Sequence, residues 1–398
     1  MQFSGLRTFG GSLIVAGTSI GAGMLALPVV TGPSGFVPSL AVLALCWAFM
    51  TITGLLFAEL SLWLKSDANI LSMAKRTLGK PGLIVTWILY LFLFYSLTVA
   101  YMVGGGNLLI ELFGDATSDV VRILLFSLVA VSIVAIGKKV IDPINRALMI
   151  GLFVAYGGFV VIGLPTVNSQ ALYFSDWGLA SLALPVTFTS FGFQGTVPTL
   201  ASWMHYDKKR LRRSIVIGTT ITLCIYILWQ WLFLGIVPRD GPNGLLETLK
   251  EGRDAVYPLQ YFTNSAWVWG LGRAFAFFAL TTSFLGVGIG LMDFLADGLS
   301  LDKVTYRLRL LLLAFGLPLA VALCFPHLFL QALGLAGGFG CASLLGVLPI
   351  LMVWKAKFID NVPLGNDSIF FTKKLFLCLL AFVGFEMCIE IYNIICRP

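Results

Sequence analysis

The chain has 398 residues, 58% of apolar type, with a mean hydropathy of +0.94. Charged residues make up 11%, against about 25% in ordinary soluble domains, which excludes a soluble globular protein of this length. The net charge of +7 does not indicate nucleic-acid binding, because the basic residues sit in short loops between apolar runs.

Apolar runs of about 20 residues cross a bilayer as helices. They predict eleven spans, at 9–30, 36–64, 82–112, 121–136, 147–165, 180–202, 214–237, 266–296, 308–325, 328–353 and 374–395. The runs are too long and too uniform for a β-barrel. Lys and Arg crowd alternate loops, most densely at Lys208, Lys209, Arg210, Arg212 and Arg213, with Lys303 in a later loop of the same side. The opposite side holds Arg122, Arg239, Lys250, Arg253 and Arg397. The positive-inside rule then predicts a cytoplasmic N-terminus and a periplasmic C-terminus. The first run carries no small-residue cleavage site and is read as an uncleaved helix. The seven cysteines show no metal-ligand spacing and read as buried free thiols. The expected organisation is one membrane domain with short loops. Its halves are approximately 8–165 and 180–354, with an extra helix at 373–395.

Two spans are interrupted in corresponding places. The first reads Gly17-Thr18-Ser19-Ile20-Gly21-Ala22-Gly23-Met24 before Pro28, and the sixth reads Thr189-Ser190-Phe191-Gly192-Phe193-Gln194-Gly195 before Pro198. Each opens a five-helix half, and an odd number of spans inverts the second half. This predicts a five-plus-five inverted repeat with discontinuous helices 1 and 6, the pattern of secondary transporters. Unwound backbone at membrane depth offers N–H groups to a carboxylate and C=O groups to an ammonium or metal cation. A zwitterionic amino acid needs both. Gly104, Gly105 and Gly106, and Gly286, Gly288 and Gly290, read instead as packing glycines.

The stretches Val15 to Pro28, Phe188 to Pro198 and Thr282 to Val287, with Asp293 to Asp297 after the last, resemble the first-, sixth- and eighth-helix motifs of the tyrosine-specific permeases. Those permeases belong to the hydroxy/aromatic amino acid permease family, within the amino acid–polyamine–organocation group. The resemblance implies eleven helices and import of tyrosine or tryptophan with a co-moving cation. By motif, the substrate backbone meets Thr18, Ser19, Gly21, Ala22 and Gly23, with Ser190, Phe191 and Gly192, and Phe193 closes over it. Gln194 hydrogen-bonds the side chain or, alternatively, the unwound backbone. Tyr95, Thr98 and Met102 share one face of the third span and, with Phe284, are the expected aromatic and apolar wall.

For the coupling ion, carbonyls of Gly17, Ile20 and Ala279 with the hydroxyls of Thr282 and Ser283 form an oxygen set suited to sodium. The fifth span, Ala147 to Pro165, has no ionisable group except Tyr156, whereas some proton-coupled relatives carry a lysine there. H+ and Na+ both stay open, and no other cofactor is expected. Arg7, Glu59, Asp293 and Asp297 are gate or proton candidates. Glu386 and Glu390 read first as a polar packing face of the last helix and second as a proton relay. The expected partners are the aromatic amino acid and the lipid bilayer, without nucleic acid or an obligatory protein. A bacterial inner membrane is the expected location. Alternatives are transport of phenylalanine or a branched aliphatic amino acid, a channel, and an integral-membrane lipid enzyme. The lipid enzyme lacks the clustered acids or His/Ser pair it would need.

Overall fold

The computed structural model describes residues 2–65, 69–109, 117–263, 265–302, 305–364 and 372–396. The expected end of the third span at 110–112, Lys303 and Arg397 lie outside them. Among the described residues the secondary structure is helical, apart from one isolated bridge between Gly35 and Ser175. Nine helices there are long and apolar enough to cross a membrane, and a bent pair makes a tenth span.

That pair is α1 (Gln2–Ser19) and α2 (Ala22–Thr31), bent by 59°. Then come α3 (Phe36–Leu64), α4 (Ile70–Leu108), α5 (Asp119–Ile136) and α6 (Lys138–Gly163). The sixth expected span is two short pieces, α7 (Leu184–Ser190) and α8 (Val197–Trp203), separated by a non-helical turn and a 3-10 turn at Gln194–Thr196. α9 is Lys208–Ile236, and the loop after it holds α10 (Leu245–Lys250) and α11 (Leu259–Phe262). α12 (Ala266–Gly298) and α13 (Arg307–Cys324) follow. α14 (Phe329–Leu335) runs through a π-helical stretch, Ala336–Val347, into α15 (Leu348–Phe358), and α16 is Lys373–Cys396.

Two boundaries differ from expectation. α4 starts at Ile70 behind an Asn69–Ser72 capping box, and its backbone breaks at Gly79 (φ 78), two residues before Pro81. Glycine takes this left-handed φ without a Cβ clash, so a short helix precedes the membrane-crossing part. α6 begins at Lys138, well ahead of the expected 147, and carries Pro143 inside it, six residues in.

α1 packs on α9, α9 on α3, and α2 on α7; α4, α5, α12 and α13 pack mutually, and α6 lies along α12. The π-helical stretch is sandwiched between α7 on one side and α16 on the other. Most of the expected packing glycines do pack: methyls on Gly104 and Gly106 would run into Phe329 and Ile123, and one on Gly288 would meet Phe315.

Candidate functional site

α1 stops at Ser19 and the chain is extended at Gly21 (φ −163, ψ −152) before α2 begins. Any residue adopts that conformation, so backbone freedom does not explain the glycine. Space does: a Cβ there would collide with Ser283 Oγ of α12. Gly23 is confined likewise, since its Cβ would stand 2.7 Å from Ser190 Oγ and 3.0 Å from Ser190 Cα. The two interrupted spans therefore touch at Gly23 and Ser190.

Breaking a helix in an apolar interior orphans backbone groups, and buried orphans are costly. Two buried side chains of α9 answer this, and a third on the same face, Gln230, bonds a side chain of α2. The Tyr226 hydroxyl lies 2.7 Å from the Ser19 carbonyl oxygen and 2.6 Å from that of Ser190. Pro28 has no N–H for the Met24 carbonyl four residues earlier, and the Trp229 indole N–H donates to it instead at 2.9 Å. Gln230 Nε2 donates to Thr31 Oγ1 at 2.6 Å. The loop after α10 contributes as well, with the Ala255 N–H donating to the Leu25 carbonyl at 3.0 Å. At the N-terminus of α2, the Ala22 N–H donates to Ser283 Oγ at 3.2 Å, and Tyr101 of α4 hydrogen-bonds the same serine. Ser19, Gly21, Ala22, Gly23, Ser190 and Phe191 are all buried.

The expected residues divide into those gathered at this centre and those aimed elsewhere. Ser19, Gly21, Ala22, Gly23, Ser190 and Ser283 are gathered. Phe191 packs edge-on against Tyr226, with ring centroids 5.1 Å apart. Thr18 is exposed and turned back to the Ile14 carbonyl at 2.7 Å. Gln194 is fully buried and serves the unwound backbone: its Oε1 accepts from the Phe193 N–H at 2.9 Å, and its Nε2 donates to the Met50 carbonyl and to Thr53 Oγ1. The Phe193 ring presses on Gly54 of α3, and Gly192 faces Leu345 and Cys341 of the π-helical stretch.

On α4 the expected face is rotated away from the centre. Tyr95 donates to the Leu313 carbonyl of α13 at 2.6 Å, and the Thr98 hydroxyl bonds back to Phe94. Tyr101, one residue before the expected Met102, is the α4 side chain that reaches Ser283. Phe284 stacks on Phe315 (5.6 Å) and meets Phe126 edge-on, so it fills the contact with α13 and α5.

In the expected ion set, Ser283 meets the unwound backbone, while Thr282 Oγ1 turns into its own helix toward the Phe278 and Ala279 carbonyls at 2.8 and 3.2 Å. The side chain that α6 brings toward Gly17 is Met149. Tyr156 donates to the Ile225 carbonyl at 3.1 Å. Glu59 of α3 is fixed by α9, with Oε1 2.7 Å from Arg212 Nη2 and Oε2 3.5 Å from Lys208 Nζ. Arg7 and Asp297 are exposed, and Asp293 is half-buried.

Sequence reasoning missed Tyr226, Trp229 and Tyr101. The available signal was the spacing Tyr226-x-x-Trp229-Gln230, polar tips on one face of a span that has two broken helices to satisfy.

Residues 5–389 match the tryptophan/tyrosine permease family. The chain is 39% identical over 358 residues to the tyrosine-specific transport system 1 of Haemophilus influenzae, covering 88% of each chain. It is 35% identical to a tryptophan-specific transport protein of the same organism, covering 82% of each, and 30% identical to glutamine transporter 2 of Aliivibrio fischeri, covering 83% and 84%. Among solved structures, MhsT in complex with L-phenylalanine superimposes with a TM-score of 0.68 at 17% identity, covering 97% and 98% of the two chains. The relatives are transport proteins rather than enzymes. A multi-pass helical membrane protein with two interrupted spans facing each other, this chain belongs to the tryptophan/tyrosine permease family.

Proposed function

We propose that the protein is a secondary-active importer of an aromatic amino acid, tyrosine ahead of tryptophan, working by alternating access and coupled to a cation gradient. The observation that carries this reading is the meeting of the two interrupted spans. The carbonyls of Ser19 and Ser190 lie within reach of one hydroxyl, beside the N-terminus of α2. An ammonium takes the carbonyls, and a carboxylate takes the Ala22 and Gly23 end of α2, where N–H groups and the helix dipole favour negative charge. The aromatic ring is matched by the buried Phe191, Tyr226 and Tyr101 surfaces around the centre. The names of the relatives supply the preference for tyrosine and tryptophan.

The architecture goes with this reading. Counting α1–α2 and α7–α8 as one interrupted span each, the chain has eleven spans, ten of them in inverted halves of approximately 8–165 and 180–354, with α16 outside the repeat. The N-terminus is cytoplasmic, the C-terminus periplasmic, and the membrane a bacterial inner membrane. Rocking of α1, α2, α3, α7, α8 and α9 against α4, α5, α12 and α13 exposes the centre to either side in turn. The hydroxyls of Thr282 and Ser283, with the carbonyls of Gly17, Ile20 and Ala279, are the sodium alternative for the coupling ion.

The test is uptake of labelled tyrosine into proteoliposomes under an inward sodium gradient, an inward proton gradient, or neither. Accumulation under one gradient, blocked by excess tryptophan and not by glutamine, is expected. No tyrosine uptake under either gradient refutes the substrate assignment. Block by glutamine in place of tryptophan moves the substrate toward that of the Aliivibrio relative.

A further inference from the structure

α16 contributes no residue to the central site, yet it buries two carboxyl groups one turn apart. Glu386 is 0% exposed and Glu390 3%. Among the described residues neither oxygen of Glu386 has a hydrogen-bond partner. Glu390 lies along α14 and the π-helical stretch, at two positions where a larger residue would not leave it room. A Cβ on Gly334 would stand 2.9 Å from Glu390 Oε1, and one on Gly338 would meet its Cβ and Cγ. A turn further on, Asn393 hydrogen-bonds Glu390, and its Nδ2 donates to the Leu182 carbonyl at 3.1 Å, just ahead of α7.

In the other direction, the titratable groups that face Glu386 are the thiols of Cys46 on α3 and Cys341 in the π-helical stretch. Cys341 in turn borders the broken sixth span, its Sγ 3.9 Å from where a Cβ on Gly192 would stand. The lysines of α15, Lys355 and Lys357, sit in its last turn, where Lys357 lies over the Phe358 ring, and α7 and α14 carry no charged residue. Among the described residues, no cation thus faces Glu386 from the elements packed on it.

An unpaired carboxylate in such surroundings is strongly unfavourable, whereas the neutral acid is tolerated. Buried ionisable groups within a membrane belong to function more often than to packing, and π-helical turns collect at functional positions. We propose that Glu386 and Glu390 are the proton-binding site through which a proton gradient drives transport. This deepens the transport reading and rests on it. A proton from the outer side, beside Asn393, binds a Glu390 oxygen and passes to Glu386, leaving Glu390 ionised to take up the next one. Neutral Glu386 permits the close packing of α16, the π-helical stretch and α7, which sets the unwound residues at Gly192 for substrate. Release of the proton on the cytoplasmic side leaves a buried anion that loosens the same contact.

The experiment separates gradient-driven accumulation from exchange, which needs no gradient. E386Q is expected to exchange external labelled tyrosine for internal tyrosine within about twofold of wild type, and to lose at least tenfold of the accumulation driven by an inward proton gradient. E386D should restore part of that accumulation. If Glu386 only packed, the shortened side chain would do worse than Gln. Full proton-driven accumulation by E386Q overturns the proposal, as does wild-type accumulation that follows sodium and ignores protons. Infrared spectroscopy of the membrane-embedded protein gives a reading independent of transport: a protonated-carboxyl stretch at neutral pH that E386Q or E386D removes or shifts. Its absence from wild type also overturns the proposal. A wild type that exchanges no tyrosine refutes the tyrosine assignment instead, and the infrared band still decides whether Glu386 holds a proton.

Discussion

Tyr226→Phe deletes one oxygen and keeps the ring that packs on Phe191. The lost hydroxyl serves two buried carbonyls, 2.7 Å away at Ser19 and 2.6 Å at Ser190. A phenol has a single proton, so even in wild type the two acceptors share it. In the substrate-free protein the substitution leaves both without this donor, at a cost of about 1–3 kcal/mol. A bound amino acid brings an ammonium with several N–H donors to the same two oxygens, so the loaded protein suffers less. The variant should therefore unfold at lower temperature than wild type without substrate and recover most of the difference at saturating tyrosine. It should also bind tyrosine about tenfold more tightly, the equivalent of roughly 1.4 kcal/mol. Thermal unfolding of the purified protein with and without tyrosine, together with equilibrium binding, measures both effects. Unchanged unfolding in the substrate-free state refutes the orphan-carbonyl reasoning. Weaker binding refutes the idea that the hydroxyl and the ammonium compete for one place.

Other substitutions test neighbouring contacts. Gly21→Val forces side-chain atoms onto Ser283 Oγ and should abolish tyrosine binding; Gly21→Ala should bind at least tenfold more weakly, with Ser283→Ala partly restoring it, and an unchanged half-saturation concentration in Gly21→Val removes the site assignment. Trp229→Phe leaves the Met24 carbonyl without a donor beside Pro28 and should cost about 1–3 kcal/mol in unfolding experiments; an effect within the error of the measurement would show another donor at that carbonyl. In the loop between α10 and α11, burial pushes the Asp254 carboxyl above its ordinary 3.8, against the pull of the Val256 and Tyr257 N–H groups and of Arg253. The folded loop then binds this proton more tightly than the unfolded chain, so stability grows as pH falls through the folded value and is fully gained below about 3.8. Hydrogen exchange at Val256, corrected for its intrinsic rate, should show protection rising on acidification, flattened in Asp254→Asn; falling protection contradicts the sign.

The interrupted spans were legible because glycine and proline punctuate a helix locally, whatever surrounds it. The Gly17-to-Pro28 and Thr189-to-Pro198 stretches marked the centre, and Ser19, Gly23, Ser190 and Ser283 meet there. Rotational phase was not legible. α4 is apolar on the lipid side and on the protein side, so no polar face distinguishes Tyr95, which reaches α13, from Tyr101, which reaches Ser283. Thr18 and Phe284 point elsewhere than expected for the same reason: motif membership fixes a position along the helix, not its direction. Gln194 and Glu59 depend on partners some 150 residues away, Met50 and Arg212, which no local pattern announces. The π-helical stretch was equally hidden, since an extra residue per turn leaves an all-apolar sequence looking like any other span.

The second half of the first span is not self-contained. Two of its backbone carbonyls take donors from outside, Met24 from Trp229 and Leu25 from Ala255, and Gln230 holds its last side chain at Thr31. For anyone building chimeras between members of the family, residues 22–31 and the inner face of α9 are therefore one unit of exchange, although nearly 200 residues of chain separate them. A graft that moves the glycine motif without Tyr226, Trp229 and Gln230 transfers the break and leaves its repair behind.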